Sequence, residues 1–215
     1  MKEKRTITVT ISRQISSGGA YIGHRLATKL GFKIVERELL HAAAKELDVD
    51  ISELSKLDER HASFVENLVK SFVFGTPEAA YAPPSRRPVY DLDLFKAESK
   101  IINSIAERYN AVIVGRGGYF MLRGQQNVVN VLIFAPMDFR VKRYRKFHNV
   151  SEQQAQEEIE DSDHQREKFL KTMTGTDWCD ARNYHLCINA AAAGFEAAEQ
   201  MIIRLVGQMQ KLGEL

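Results

Sequence analysis

The chain has 215 residues, of which 44% are hydrophobic, 27% charged and 9% aromatic, and its 30 Lys and Arg against 28 Asp and Glu leave a formal net charge of +2. That length and composition suit one sizeable α/β core, alone or with a smaller subdomain, and exclude disordered, collagenous and disulfide-stapled classes. The near balance of charge argues against a dedicated nucleic-acid or membrane-surface binder but leaves room for a local basic pocket that takes a small anion.

Residues 1–10 are charged and then alternate, without the apolar stretch of a signal peptide. No apolar run approaches the ~20 residues of a membrane span, so the expected location is cytoplasmic. Cys179 and Cys187 are too few for a disulfide framework and match no zinc spacing, and the six histidines contain no His-x₃-His or HExxH pair. No protein-ligated metal is expected.

In chain order, the β-branched run over residues 6–11 predicts a first strand, followed by the small-residue turn Ser16-Ser17-Gly18-Gly19-Ala20. Ile22, Leu26 and Leu30 then keep helical spacing up to Gly31. Residues 32–35 form a short buried strand, and helical patterns extend over 37–74 with a break near 48–50. Pro77, Pro83, Pro84 and Pro88 mark a long loop that carries Arg86 and Arg87. A helix over 94–109 leads into apolar strands at 111–114 and 128–134. A basic segment at 140–146, an acidic one at 152–167 and a strand at 185–189 follow. The closing helix carries Phe195, Ala198, Met201, Ile202, Leu205 and Met209 on one face.

Five short strands alternating with helices predict a doubly wound parallel sheet. Ligands bind such sheets beyond the carboxyl ends of the strands. Those ends are residues 12–20, Glu36 with Arg37, residues 115–118, Ala135 with Pro136, and Asn189 onward. A strand, a glycine-bearing turn and a helix make a phosphate cradle, because glycines let the backbone approach the anion and the first-turn amides supply positive potential. Residues Ser16, Ser17, Gly18, Gly19 and Ala20 fit that layout, although the usual G-x-x-x-x-G-K-[ST] motif is absent and Gly19 takes the lysine's place. Arg13, just past the strand, is placed to supply the missing charge; the alternative is a surface arginine.

Several collinear segments resemble the cytidylate kinase-like family, a divergent branch of the P-loop nucleoside monophosphate kinases. They are Ile11-Ser12-Arg13-Gln14, Ser17-Gly18-Gly19-Ala20-Tyr21-Ile22-Gly23, Glu36-Arg37-Glu38-Leu39-Leu40 and Val112-Ile113-Val114-Gly115-Arg116-Gly117. Asp163-x-x-Arg166, Thr174-Gly175-x-x-Trp178-x-Asp180 and the run from Asn183 to Asn189 complete the set. The resemblance implies a three-layer P-loop NTPase fold with a five-stranded parallel sheet. Its core would span 1–35, 110–147 and 184–215, with a monophosphate-binding insertion over about 36–109 and a helical lid over about 148–183. It also implies transfer of the γ-phosphoryl group of ATP, with Mg²⁺, to a nucleoside monophosphate such as CMP or dCMP.

On that resemblance Ser16, Ser17, Gly18, Gly19, Ala20, Tyr21 and Arg140 bind the ATP phosphates. Arg13, Arg143, Asp163 and Arg166 act in transfer, and Glu36, Arg37 and Arg116 face the acceptor. This sequence departs from the family pattern in places. Ser16 stands where relatives usually carry Gly, Glu98 where they carry Gln, and Gly117 replaces an aspartate after Arg116. Tyr21 occupies the slot of the Mg²⁺-binding hydroxyl. Plainer readings stand beside these: an intrahelical ion pair for Asp163 and Arg166, a helix cap for Glu36 and Arg37, and a solvated face for the basic segment. The expected partners are ATP and a small phosphate acceptor, with no nucleic acid or membrane, and a homo-oligomer is left open. The competing functions are a nucleotide-sensing protein on the same fold and a kinase for a non-nucleotide metabolite.

Overall fold

In β1 (Thr8–Arg13), Val9 and Ile11 point to one side of a sheet and Thr8, Thr10 and Ser12 to the other, and all five are buried. A strand covered on both faces belongs in the interior of a parallel sheet. The computed structural model describes residues 6–36, 92–115 and 117–213. The predicted helices over 37–74, the proline-rich loop with Arg86 and Arg87, and Arg37 and Arg116 lie outside them.

The elements are β1, α1 (Gly19–Leu30), β2 (Lys33–Glu36), α2 (Leu92–Arg108), β3 (Ala111–Val114), α3 (Gly118–Met121), β4 (Val128–Phe134), α4 (Met137–Phe147), α5 (Glu152–Thr174), a 3₁₀ turn (Ala181–Asn183), β5 (Leu186–Asn189), α6 (Ala190–Ala193) and α7 (Phe195–Gly213). The five strands run parallel in the order β2-β3-β1-β4-β5. Val9, Ile11, Val112, Val114 and Val131 meet Ile22 and Leu26 of α1 and Ala198, Ile202 and Val206 of α7. On the opposite face Ile113 and Leu132 meet Ile102 and Ile105 of α2 with Phe169 and Leu170 of α5. Helices therefore cover both faces, giving the predicted three-layer α/β architecture with a five-stranded parallel sheet.

The first strand lies two residues later than the alternation suggests. Ser12 and Arg13 still pair with Leu132 and Ile133 of the long strand β4. The chain before Thr8 is instead held by single bonds, the Ile7 amide donating to Asn110 Oδ1 at 2.8 Å and the Thr6 hydroxyl to the Ala106 carbonyl at 2.6 Å. The acidic segment folds as the long helix α5, opened by a reciprocal cap between Ser151 and Gln154 and closed by Gly175 at φ 70°.

Helix α7 corrects one face assignment: Met201 is 47% exposed, while Ala198, Ile202 and Val206 point inward. Its buried Glu199 accepts from Arg25 Nε of α1 at 2.7 Å and pairs with Lys29. Burial alone would raise the Glu199 carboxyl, but its bonds and charges from Arg25 and Lys29 hold it below the ordinary carboxylate value. Among the described residues no helix is long and apolar enough to cross a membrane.

Ile202 is fully buried between α1 and the sheet. Ile202→Ala is expected to lower unfolding free energy by about 2–5 kcal/mol through lost burial and a residual cavity. Urea denaturation should show a lower midpoint with an unchanged slope.

Candidate active site

The turn between β1 and α1 is shaped by three positions. Ser16 sits in the left-handed region at φ 58° and Gly18, the N-cap of α1, at φ 92°. A left-handed backbone suits glycine and strains serine, so Ser16 holds this turn at a conformational cost that a glycine would not incur. A side chain on Gly19 would place its Cβ 2.4 Å from Arg13 Cβ and 3.3 Å from Ile133 Cβ, and one on Gly18 would lie 2.4 Å from Phe195 Cε1. The stem of Arg13 thus crosses the space that a lysine at position 19 would need. Here an arginine from the strand and a lysine from the helix exclude each other.

The Ser17 hydroxyl turns inward, bonded to the Gln14 carbonyl at 2.8 Å and the Ile133 carbonyl at 3.2 Å. It holds the loop onto β4. The Gln14 side chain does the same, accepting from the Ala135 amide at 3.2 Å. Gly19, Ala20 and Tyr21 form the first turn of α1, where the unpaired amides and the helix dipole favour an anion.

Around this turn stand the lid residues. Asp163 of α5 joins three partners. Its Oδ1 accepts from the Ile15 amide of the loop at 3.2 Å and from Arg166 Nη1 at 3.4 Å, and its Oδ2 accepts from Arg140 Nη1 of α4. Arg140 and Arg166 are both buried, so this carboxylate fixes two cations beside the cradle. The predicted Asp163–Arg166 pair exists and is also the tie between lid and loop.

The Arg143 guanidinium lies 4.6 Å from the Phe195 ring centroid, 5.5 Å from Phe147 and 5.9 Å from Tyr21. Burial lowers its proton affinity from the ordinary arginine value, and stacking on ring faces offsets part of that desolvation. Phe139 meets Phe195 edge-on at 6.2 Å, and Tyr21 lies 5.5 Å from Phe195. Phe195 is the residue that sequence reasoning placed only on a helix face. Its approach to Gly18 is a contact between chain ends, and no local pattern announces it.

Glu36, on the opposite flank, ends β2 and bonds to His24 of α1, Oε1 to Nε2 at 2.9 Å. The structure therefore gathers Arg13, the cradle, Tyr21, Arg140, Arg143, Asp163 and Arg166 around the end of β1, with Glu36 beyond β3. Trp178 and Tyr184 pack into the core beneath, the Tyr184 hydroxyl donating to the Trp178 carbonyl at 2.6 Å. Burial raises the Tyr184 hydroxyl well above its usual value.

No group of three or more His, Cys, Asp or Glu among the described residues could hold a metal ion. Tyr21, in the slot of the usual metal-binding hydroxyl, accepts from Arg25 Nη1 at 3.5 Å.

The order of the five parallel strands and the helices on both faces are those of the P-loop kinase fold. The profile of the cytidylate kinase-like family matches residues 8–192, and the chain belongs to that family. No curated protein sequence matches it. Among solved structures, an uncharacterized protein from Eubacterium ventriosum is similar over 94% of this chain and 99% of that one, at 20% identity and TM-score 0.68. A gluconokinase from Sinorhizobium meliloti is similar over 96% and 97%, at 14% identity and TM-score 0.53. TT1252 from Thermus thermophilus is similar over 95% and 98%, at 16% identity and TM-score 0.50. The family supports phosphoryl transfer as the class of chemistry, and the structural likenesses support the fold.

Asp163→Asn removes the charge that compensates Arg140 while keeping the shape. Leaving a buried guanidinium without its carboxylate should cost on the order of 3 kcal/mol. Thermal and urea unfolding should both register the loss, whereas Glu157→Gln on the exposed face of α5 should change neither.

Proposed function

We propose that the protein transfers the γ-phosphoryl group of Mg²⁺-bound ATP to a nucleoside monophosphate, with CMP or dCMP as the first acceptors. The observation that carries this reading is the cradle itself: a left-handed turn opening α1, the Arg13 stem filling the lysine's place, and lid arginines tied to the loop by Asp163. An acceptor phosphate oxygen attacks the γ-phosphorus in line. The bond from that phosphorus to the bridging oxygen breaks, and ADP leaves.

Such transfer needs alignment and charge neutralisation rather than covalent help. The α1 amides and Arg13 hold the donor phosphates, Arg140 and Arg143 approach the transferred group, and Asp163 keeps Arg140 and Arg166 aimed. Mg²⁺ comes with ATP as part of the substrate and shields its phosphates; no residue above depends on it. Arg37, Arg116 and Glu36 take the acceptor. The same reading places the protein in the cytoplasm, acting on small molecules rather than nucleic acid or membrane, with self-association open.

A second reading is a nucleotide-binding sensor without transfer, favoured by the absence of a lysine at Gly19. A third is a kinase whose acceptor is not a nucleotide. ADP release in a coupled assay over the common nucleoside monophosphates and small polyols separates all three. Turnover with CMP or dCMP is expected. Stabilisation by ATP in a thermal-shift experiment without turnover on any acceptor would establish the sensor.

Arg143→Ala should reduce kcat/KM for ATP about 100-fold, the scale of losing one fixed charge from a transfer site. Arg116→Ala should instead raise KM for the acceptor. Unchanged kinetics in both variants of an active enzyme would remove this site assignment.

A further inference from the structure

His24 has no role in the transfer chemistry above, and its partner Glu36, which that chemistry places with the acceptor, lies across the sheet from α4 and α5. The strand order puts β3 and β1 between Glu36 and the β4–α4 corner that carries Arg140 and Arg143. The side chains of His24 and Glu36 are 9% and 17% exposed, so the pair is mostly sealed and Glu36, the last residue of β2, is the more open of the two. Among the described residues the Glu36 carboxylate is bonded to His24 alone, through Oε1, which leaves Oε2 for a ligand.

A carboxylate only accepts hydrogen bonds, so His24 must carry its proton on Nε2. An imidazole bonded through Nε2–H orients one carboxylate oxygen and leaves the other uncovered, whereas the fork of an arginine would take both. A lone glutamate samples many rotamers, and a ligand that must freeze one binds more weakly. The His24 bond removes that freedom before binding. A negative oxygen repels phosphate and suits hydroxyl or amino donors, so Glu36 is built for the part of the acceptor that is not its phosphate.

We propose that His24 is a positioning residue: it holds Glu36 so that Oε2 accepts a hydrogen bond from a hydroxyl of the acceptor, making this chain selective for a hydroxyl-bearing acceptor such as a ribose. The proposal rests on the phosphoryl-transfer reading and deepens it.

The test compares CMP, dCMP and 2′,3′-dideoxy-CMP on the full chain. Wild type should favour the best hydroxylated acceptor over the dideoxy one about 10-fold or more in kcat/KM, the scale of one hydrogen bond to a charged group. His24→Leu should raise the acceptor KM by a similar factor and erase the preference, leaving the KM for ATP unchanged. His24→Gln, whose amide nitrogen reaches a comparable position, should restore most of both. Glu36→Gln should also erase the preference, and it stands in if His24→Leu fails to fold. An independent readout is the imidazole ¹⁵N spectrum, in which His24 should appear as the Nε2–H tautomer and shift in Glu36→Gln. An active wild type with unaltered acceptor KM and preference in His24→Leu and Glu36→Gln would overturn the positioning role, as would an Nδ1–H tautomer. A wild type that phosphorylates none of the three compounds would instead overturn the reading beneath it.

Discussion

The close approach of Arg13 to Gly19 constrains everything built around the end of β1. With Cβ atoms that would stand 2.4 Å apart, only a glycine lets the strand arginine pass the first turn of α1. The lysine of the ordinary phosphate loop is therefore not simply missing from this chain. The first atoms of the Arg13 side chain occupy the space where that lysine's side chain would begin. The second glycine of the turn serves a different neighbour, since a Cβ on Gly18 would meet the Phe195 ring. One narrow turn thus carries both the charge of the cradle and its contact with the last helix.

Helix α5 is tied to that turn through the Asp163 carboxylate. Asp163 meets a loop amide, Arg140 and Arg166, and both arginines are otherwise withdrawn from water. Burying such charges adds little net stability, because desolvation consumes most of the attraction. Its value lies in orientation: the guanidinium groups cannot swing away to solvent without leaving Asp163 or Arg140 unpaired. Arg143 stands against aromatic rings, whose faces favour its guanidinium as it leaves water.

Much of this was legible in the sequence. Short apolar runs bounded by turns located all five strands, because a parallel sheet covered on both faces selects β-branched residues along its whole length. Position in the sheet was harder. The first strand extends to Arg13 because long β4 offers partners there, a fact of pairing rather than of local pattern. On α7, Met201 is apolar and correctly spaced yet faces water, since Ala198, Ile202 and Val206 already fill the seam against α1. Arg13 stands out in the sequence because it falls at a strand end, whereas Arg140, Arg143 and Arg166 lie within helices and are singled out only by the resemblance. His24 and Phe195 were not singled out for the site, because each meets its partner across a tertiary contact.

The chain's small net charge takes on a meaning once its charges are placed. On the β4 flank arginines gather with aromatic rings and one shared acid, where the proposed function puts the phosphates of ATP. On the β2 flank the described charge is a carboxylate turned toward the strand end and steadied by a histidine. A ligand lying across β1 and β3 would meet cations at one end and a hydrogen-bond acceptor at the other. Opposite polarity at the two ends discriminates orientation, because a molecule with phosphate at one end and hydroxyls at the other gains from one alignment and is repelled in the reverse. A uniformly basic pocket would bind polyphosphates more strongly and in any direction. A net charge of +2 is compatible with such a divided arrangement, in which local cations and a local carboxylate offset one another in the sum.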